Sequence, residues 1–406
     1  MNGSSARCDG APCGMSASWS ATDACAPGFS PARWLALLVV TAFAACAPAI
    51  SVGAQSSRVS PDARGEGLSV AATPIRRFGG LSDDPANELS KDPDVVDAQR
   101  LTDGRWLITD RDHLKLYDRT GRLERAIGRK GSGPGEFRHI LSACELRDGS
   151  IQVLDRQQRR VSRFTAAGRH VRTSAVSEPL EFDGCFSDGT LLVRSAPEAL
   201  HRVLDRGESP LGLDVHTIFR RVEPSGRTAI RFDSLPFETF SVLRRRVSAV
   251  VRRDTFYYAE SYRPEVRVYS PQGPLVRRFS ITAEQRPVTE ALVRAQRSET
   301  GRRIVGADEV RTPPVNMSGE PKLVPGLGLM KVGNDGTIWV SSYPLKGERM
   351  SWRLLNGDGT VIGRFVVPTL PGFTDVSVVR GERRSVVLRA LDDDGAVNLL
   401  VFALRP

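Results

Sequence analysis

Few residues of this chain are of a type and spacing that suggest chemistry. His113, His139, His170, His201 and His216 are its five histidines, and no two are spaced to share one helix face as metal ligands. A zinc centre needs about three or four converging donors, so no metal site is assigned. Of the five, His139 is the one placed to face a central opening. Glu145, Asp183 and Arg252 stand in short apolar segments that recur along the chain, together with Cys144 and Cys185. If those segments line a common axis, these side chains share it. Tyr343 joins them as an aromatic able to border a sugar or peptide groove, alongside Trp106, Trp339, Trp352, Tyr257 and Tyr258; packing between sheets is the commoner use of such rings. The candidate binding set is therefore His139, Glu145, Asp183, Arg252 and Tyr343. No GxSxG, HExxH, Walker or dinucleotide fingerprint occurs. No catalytic residue and no cofactor follow. Asp110 and Asp155 close two of the recurring segments at matching places, where a carboxylate serves either calcium or, more commonly, backbone turns.

The elements that must position these residues repeat. An acidic–glycine turn followed by an alternating strand reads DGRWLITD at Asp103, DGSIQVLD at Asp148, DGTLLVRS at Asp188 and DGTIWVSS at Asp335, with weaker copies at Asp254 and Gly381. Downstream of most of these, an apolar strand ends in a glycine turn at Gly121, Gly168, Gly226, Gly273 and Gly359. Asp-Gly supplies the positive φ of tight hairpins, and alternation gives each strand one buried face. Each unit is thus a four-stranded antiparallel sheet. The steps between units are 45, 40, 66, 81 and 46 residues. Six sheets over residues 68–404 average about 56 residues each, a propeller spacing. The last unit stops one strand short. Leu68–Phe78 has no partner of its own, so it is expected to supply the missing outer strand and close the ring.

Between the first two units stands AIGRKGSGPGEFRHI, with Gly133, Pro134, Gly135, Glu136 and Phe137. With the DG strand and the RFxxxGR turn, this resembles NHL-type repeats and the exported bacterial six-bladed β-propeller proteins. The resemblance covers most of residues 68–404, and His139 departs from the proline often found there. The fold class expected is all-β: a six-bladed propeller of four-stranded antiparallel sheets, closed by an N-terminal strand joining the last blade. The glycines allow a tight crossover, Glu136 can accept backbone N–H bonds, and Phe137 plugs between sheets, which is a structural role. Insertions interrupt the pattern. Residues 283–303 read as a short helix capped by Thr289, with Val288, Leu292, Val293 and Ala295 as its apolar stripe. Residues 195–217 and 311–328 read as irregular.

Trp34–Ala45 is an apolar run of secretory-signal length preceded by Arg33. Three exits are open: cleavage between Ala54 and Gln55, lipidation at Cys46 after Phe43-Ala44-Ala45, or retention as an uncleaved anchor. The start is equally open: Met1, Met15 or a non-Met codon. The domain reading is a leader over 1–54, a linker over 55–67 and the propeller over 68–406. Cys144 and Cys185 remain in the mature chain at corresponding places before DG turns. They form either a bridge between adjacent repeats, which an oxidising compartment permits, or two small buried side chains.

The net charge of +10 comes from 51 arginines and six lysines against 47 acids. Arginine pairs are scattered beside acids and turns, unlike a nucleic-acid footprint, which clusters with aromatics. A nucleic-acid partner is not expected. Membrane contact is expected only through an N-terminal lipid or anchor. The expectation is an exported monomer, periplasmic or extracellular, binding a protein, peptide or glycan in the cell envelope. The competing class is a lactonase-like hydrolase or lyase with a site in the central channel.

Overall fold

The computed structural model describes residues 55–59, 65–80, 87–90, 97–176, 181–195, 197–208, 213–239, 241–284, 286–305, 317 and 319–406. Three strands come first: β1 (Gln55–Val59), β2 (Glu66–Val70) and β3 (Arg76–Gly79). Blade one is β4 (Asp97–Arg100), β5 (Trp106–Thr109), β6 (Leu114–Tyr117) and β7 (Leu123–Ile127). Blade two is β8 (Ile140–Glu145), β9 (Ile151–Asp155), β10 (Arg160–Phe164) and β11 (His170–Ala175). Blade three is β12 (Glu181–Cys185), β13 (Leu191–Arg194), then helix α1 (Glu198–Asp205), β14 (His216–Val222) and β15 (Thr228–Pro236). Blade four is β16 (Val247–Arg252), β17 (Thr255–Glu260), β18 (Glu265–Tyr269) and β19 (Leu275–Ile281). Helix α2 (Glu290–Val305) leads to blade five: β20 (Met330–Val332), β21 (Ile338–Ser341), β22 (Ser351–Leu355) and β23 (Val361–Val366). Blade six contributes β24 (Phe373–Gly381), β25 (Ser385–Asp392) and β26 (Val397–Arg405). Within each blade, strands pair antiparallel in chain order. The protein is an all-β, six-bladed propeller.

Closure uses two N-terminal strands. β3 takes the vacant fourth place of blade six, with Phe78 opposite Leu399 and Arg76 opposite Val401. β2 runs parallel to β23 of blade five, Leu68 opposite Phe365, and its end pairs with β26, Val70 opposite Leu404. The two ends of the folded chain thus lock each other, and β26 is covered along its outer side. The segment 55–67, expected as a linker, carries β1, which adds parallel to β19 on the outer edge of blade four. An edge strand offers unpaired N–H and C=O groups, and β1 satisfies them.

The DG turns employ some of the arginine. Asp148 accepts the Ser150 N–H and pairs with Arg163 of β10. Asp188 repeats this with the Thr190 N–H at 3.0 Å and Arg221 of β14 at 2.6 Å. One carboxylate thereby fixes its turn and neutralises a cation on the third strand. Between the sheets the core is apolar: Leu107, Ile127, Phe137, Ile151 and Phe164 fill the space of blades one and two. Trp339 and Trp352 fill that of blades five and six. A Cβ at Gly381 would collide with the Trp339 ring, so the last blade needs glycine where its inner strand ends. Each such buried aromatic contributes about 2–3 kcal/mol.

Residues 195–217 are not wholly irregular, since α1 occupies Glu198–Asp205. Pro197 fixes its start, and Leu200 packs with Val215 and Phe237. The i, i+3, i+4 spacing of Leu200, Val203 and Leu204 is the signal that reveals it. In the second insertion, the Thr289 hydroxyl accepts the Leu292 N–H at 3.3 Å at the start of α2. Val293 is buried against Leu243, Tyr343 and Leu345.

Candidate functional site

Every inner strand finishes at the same end of the ring, in the turn leading to its second strand. These ends enclose a cavity of about 670 Å³. Gln99, Cys144, Glu145, Cys185, Arg252, Arg253, Asn334 and Glu382 are among the residues of its wall, so all six blades contribute. Its size suits a small ligand or a protruding group of a larger one.

The rim is tied from blade to blade around the circle. Glu145 accepts the Thr102 N–H at 2.9 Å and the Thr102 hydroxyl at 2.6 Å, joining blades two and one. The Cys144–Cys185 disulfide joins blades two and three, with Cα atoms 6.3 Å apart. Ser187 donates its N–H and hydroxyl to Asp254, each at 2.6 Å, joining blades three and four. Arg252 Nε donates to the Val332 carbonyl at 3.1 Å. The Arg383 N–H donates to Asp335 at 2.7 Å. Arg380 Nη2 reaches Asp97 at 2.6 Å, joining blades six and one. Asn334 Nδ2 also donates to the Arg100 carbonyl at 2.9 Å, across blades five and one.

Cations gather on one side of this channel. Arg252 ends β16, and Lys331 and Arg380 are the last residues but one of β20 and β24, while Asp97 of β4 is the carboxylate among them. Burial pushes the Lys331 ammonium below its ordinary value; the Asp97 charge opposes this, and the charges of Arg380 and Arg252 add to it. Burial and the Arg380 charge likewise hold Arg252 well below its ordinary value. Burial alone would raise Asp97; Arg380, Arg252 and Lys331 more than offset this and hold it low. Hydrogen-bonding capacity is left over too. Arg380 is 4% exposed, yet its Nε has no partner among the described residues, and neither has Gln99 Nε2. Lys331 forms no hydrogen bond or ion pair among them. The blade-four turn also departs from Asp-Gly: Arg253 and Asp254 both adopt positive φ, 47° and 61°. Such backbone costs roughly 1 kcal/mol per non-glycine residue and marks sites where another requirement prevails.

The structure distributes the sequence-derived candidates over three levels. Glu145 and Arg252 meet in the cavity wall, beside the disulfide. Asp183 lies within the ring on β12, as the extra residue of a β-bulge between Phe182 and Gly184. It faces Arg194 at 3.4 Å, and burial pushes its carboxyl up to about 7, aided by Glu181 and Glu238 and opposed by Arg194. His139 immediately precedes β8, and Tyr343 follows β21, so both belong to the opposite end. Tyr343 is buried there and donates to the Arg244 carbonyl at 3.0 Å. That end also carries α1, α2 and a second hollow of about 420 Å³ between Tyr262, Ile281 and Pro321–Gly326.

Other candidates serve the framework. The Gly133 N–H donates to Glu136 at 2.8 Å, and Phe137 is fully buried between blades one and two. Asp155 accepts the Gln158 and Arg138 N–H groups, and Asp110 accepts that of Arg111. Glu260 does the same for Tyr262 and Arg263 in blade four. Among the described residues no three His, Cys, Asp or Glu side chains converge as metal ligands. Cys46, the leader and residues 311–316 and 318 lie outside the described residues.

Sequence reasoning missed Asp97, Gln99, Lys331 and Arg380. A signal existed. VVR at Arg252, MKV at Lys331 and VVR at Arg380 each place a cation in an apolar strand just before its turn. Gln99, Cys144 and Lys331 also hold one equivalent place, two residues before Leu101, Leu146 and Gly333, whose N–H groups close their turns.

The DUF5128 family model, described as a six-bladed β-propeller, matches residues 94–181. No curated protein matches the chain in sequence. Among solved structures, a Bacteroides fragilis protein described as exported is 13% identical; the match covers 86% of this chain and 98% of that one, with a TM-score of 0.50. A DUF4221 family member from Bacteroides vulgatus is 9% identical over 84% of this chain and 99% of that one, also with a TM-score of 0.50. Virginiamycin B lyase from Staphylococcus aureus is 10% identical over 79% of this chain and 97% of that one, at a TM-score of 0.36, too distant to bear on chemistry. The first two likenesses speak for the propeller fold.

Proposed function

We propose that this chain is an exported, monomeric propeller with NHL-like repeats, which binds a protein, peptide or glycan of the cell envelope at the mouth where its inner strands end. The observation that carries this reading is the cavity of about 670 Å³, walled by all six blades and held open by the blade-to-blade bonds of its rim. A preformed polar hollow binds without the cost of ordering its walls. The Cys144–Cys185 bridge fits an oxidising compartment outside the cytoplasm, periplasmic or extracellular. Arg105, Arg163 and Arg221 pair with carboxylates of the DG turns, and the other arginines are scattered along the chain, which supports a partner other than nucleic acid. A hydrolase or lyase would be supported by carboxylates or imidazoles converging on one channel point. Here the cations cluster round Asp97, which Arg380 already holds.

The test is site-specific photocrosslinking in the producing cell's envelope. A photoreactive residue at Arg147 or Glu382 reports on the mouth, and one at His139 on the opposite end. A partner captured from the mouth positions alone supports the reading. Capture from His139 alone, or equally from both ends, overturns it.

A further inference from the structure

We propose that the channel mouth is an oxyanion site, in which Arg252, Lys331 and Arg380 clasp a carboxylate or phosphate group of the ligand. The inference rests on the mouth being the binding end and names the chemistry that end takes. Three observations carry it. First, the cavity opens onto Arg252, whose Nε and Nη1 are spent on the Val332 and Val251 carbonyls, while Nη2 keeps no protein partner among the described residues. Second, three cations on adjacent blades face one carboxylate. A fold under no demand to hold an anion would leave the excess charge out, because buried like charges destabilise it. Third, donors are left unspent at the inner-strand ends: Lys331 and Arg380 are not themselves residues of the cavity wall, but Lys331 holds the place equivalent to Gln99 and Cys144, which are. Lys331 is unbonded, Arg380 Nε and Gln99 Nε2 are buried without partners, and Gln99 lies in the cavity wall. All of these are donors, and an oxyanion is the ligand that takes several donors and a positive field at once. Asn334 fits the scheme: it lines the cavity and meets Arg380 Nη1 at 3.5 Å, orienting that guanidinium.

The depressed basicity of Lys331 and Arg252 is the free-protein side of the same arrangement. A bound anion relieves the repulsion and raises both groups, so binding takes up protons and weakens as the pH rises through the range where Lys331 loses its charge. Glu145, Asp254, Asp335 and Glu382 also lie in the wall. The first three are engaged in the turn and rim bonds described above, which leaves the cationic side facing the ligand.

The chain from residue 55 to residue 406 is titrated calorimetrically at fixed ionic strength with inorganic phosphate, with an oligosaccharide of four uronic acids and with a neutral tetrasaccharide. Binding of phosphate or the uronate, and none of the neutral sugar, is expected. Preference between the first two tells a free anion from an acidic glycan. Lys331→Met should weaken that binding at least tenfold while the ligand-free variant melts at or above the wild-type temperature, since it removes a repelled charge that bonds to nothing described. Arg252→Met provides the second variant, with the same loss of binding. Unchanged affinity in both variants, or no anion binding by the wild type, overturns the proposal. So does a Lys331→Met variant that melts well below wild type, because the cation then stabilises the fold. Anion failure alongside a partner crosslinked at the mouth leaves the functional reading intact. Anion binding without any mouth partner overturns that reading and keeps this one.

Discussion

At the mouth where the inner strands end, blades are joined by polar side chains reaching across to their neighbours: Glu145 to Thr102, Asp254 to Ser187, Asp335 to Arg383 and Arg380 to Asp97. At the opposite end they are joined by apolar packing of inserted segments, with Leu243, Val293, Tyr343 and Leu345 under α2 and Leu200, Val215 and Phe237 under α1. The apolar end gains stability from burial, and its unmatched donors, Arg245 Nε and Arg246 Nε, belong to guanidiniums stacked on Tyr262 and Tyr343. The polar end carries repelling cations on three adjacent blades, which cost stability. Ring closure does not require them, because β3 and β26 close the ring elsewhere. One end holds the assembly together, and the other is kept unsatisfied in a way that a ligand can correct.

The strongest way to break this contrast is at the apolar end. Tyr343→Ala removes a buried ring and its bond to the Arg244 carbonyl, and should cost about 4 kcal/mol in urea unfolding, with anion affinity at the mouth unchanged. A loss below about 1 kcal/mol, or a lost mouth affinity, would erase the division of labour. Next comes the bridge at the mouth. Joining residues 41 apart, it should contribute about 3 kcal/mol by restricting the unfolded chain. The double substitution Cys144→Ala, Cys185→Ala measures this under non-reducing conditions. A cost near zero would mean that the neighbouring bonds of Glu145 and Asp254 already fix blades two and three, so that the polar rim holds without the bridge.

The blades, their turns and the closing strand are legible in the sequence because each is written locally, as Asp-Gly, alternation and a unit one strand short. Thr289 and the apolar positions of α2 are legible for the same reason. The charged cluster is different. Arg252, Lys331 and Arg380 are separated by dozens of residues, and each alone is one basic residue in a chain with 57. They become a site when the ring brings blades four, five and six side by side, and composition had suggested that the arginine excess was spread over the surface. His139 and Tyr343 failed to join that site because a strand's two ends lie at opposite mouths. Residues before an inner strand or after a second strand reach one mouth, whereas those after an inner strand reach the other. β1 was missed because a parallel edge addition needs no turn and leaves no hairpin signature.

Asp183 lies between the two ends and tests where the boundary falls. Its carboxyl is raised from an ordinary 3.8 to about 7, so the folded chain binds its proton more tightly than the unfolded one. Stability from this group is complete below about pH 4 and is lost as the pH rises through about 7. That interval sets a ceiling of about 4 kcal/mol, and Arg194, deprived of a partner by substitution, takes part of it back. Asp183→Asn should therefore exceed the wild type by about 2 kcal/mol at pH 8, with the advantage shrinking towards pH 4, as read from urea midpoints at several pH values. Its effect is smaller than those of Tyr343 and the bridge, but its sign is decisive. A gain places mid-channel with the unsatisfied mouth, where charge is held at the expense of the fold. A loss at pH 8 would mean that the Arg194 pair stabilises the blade and that the strained region begins only at Arg252.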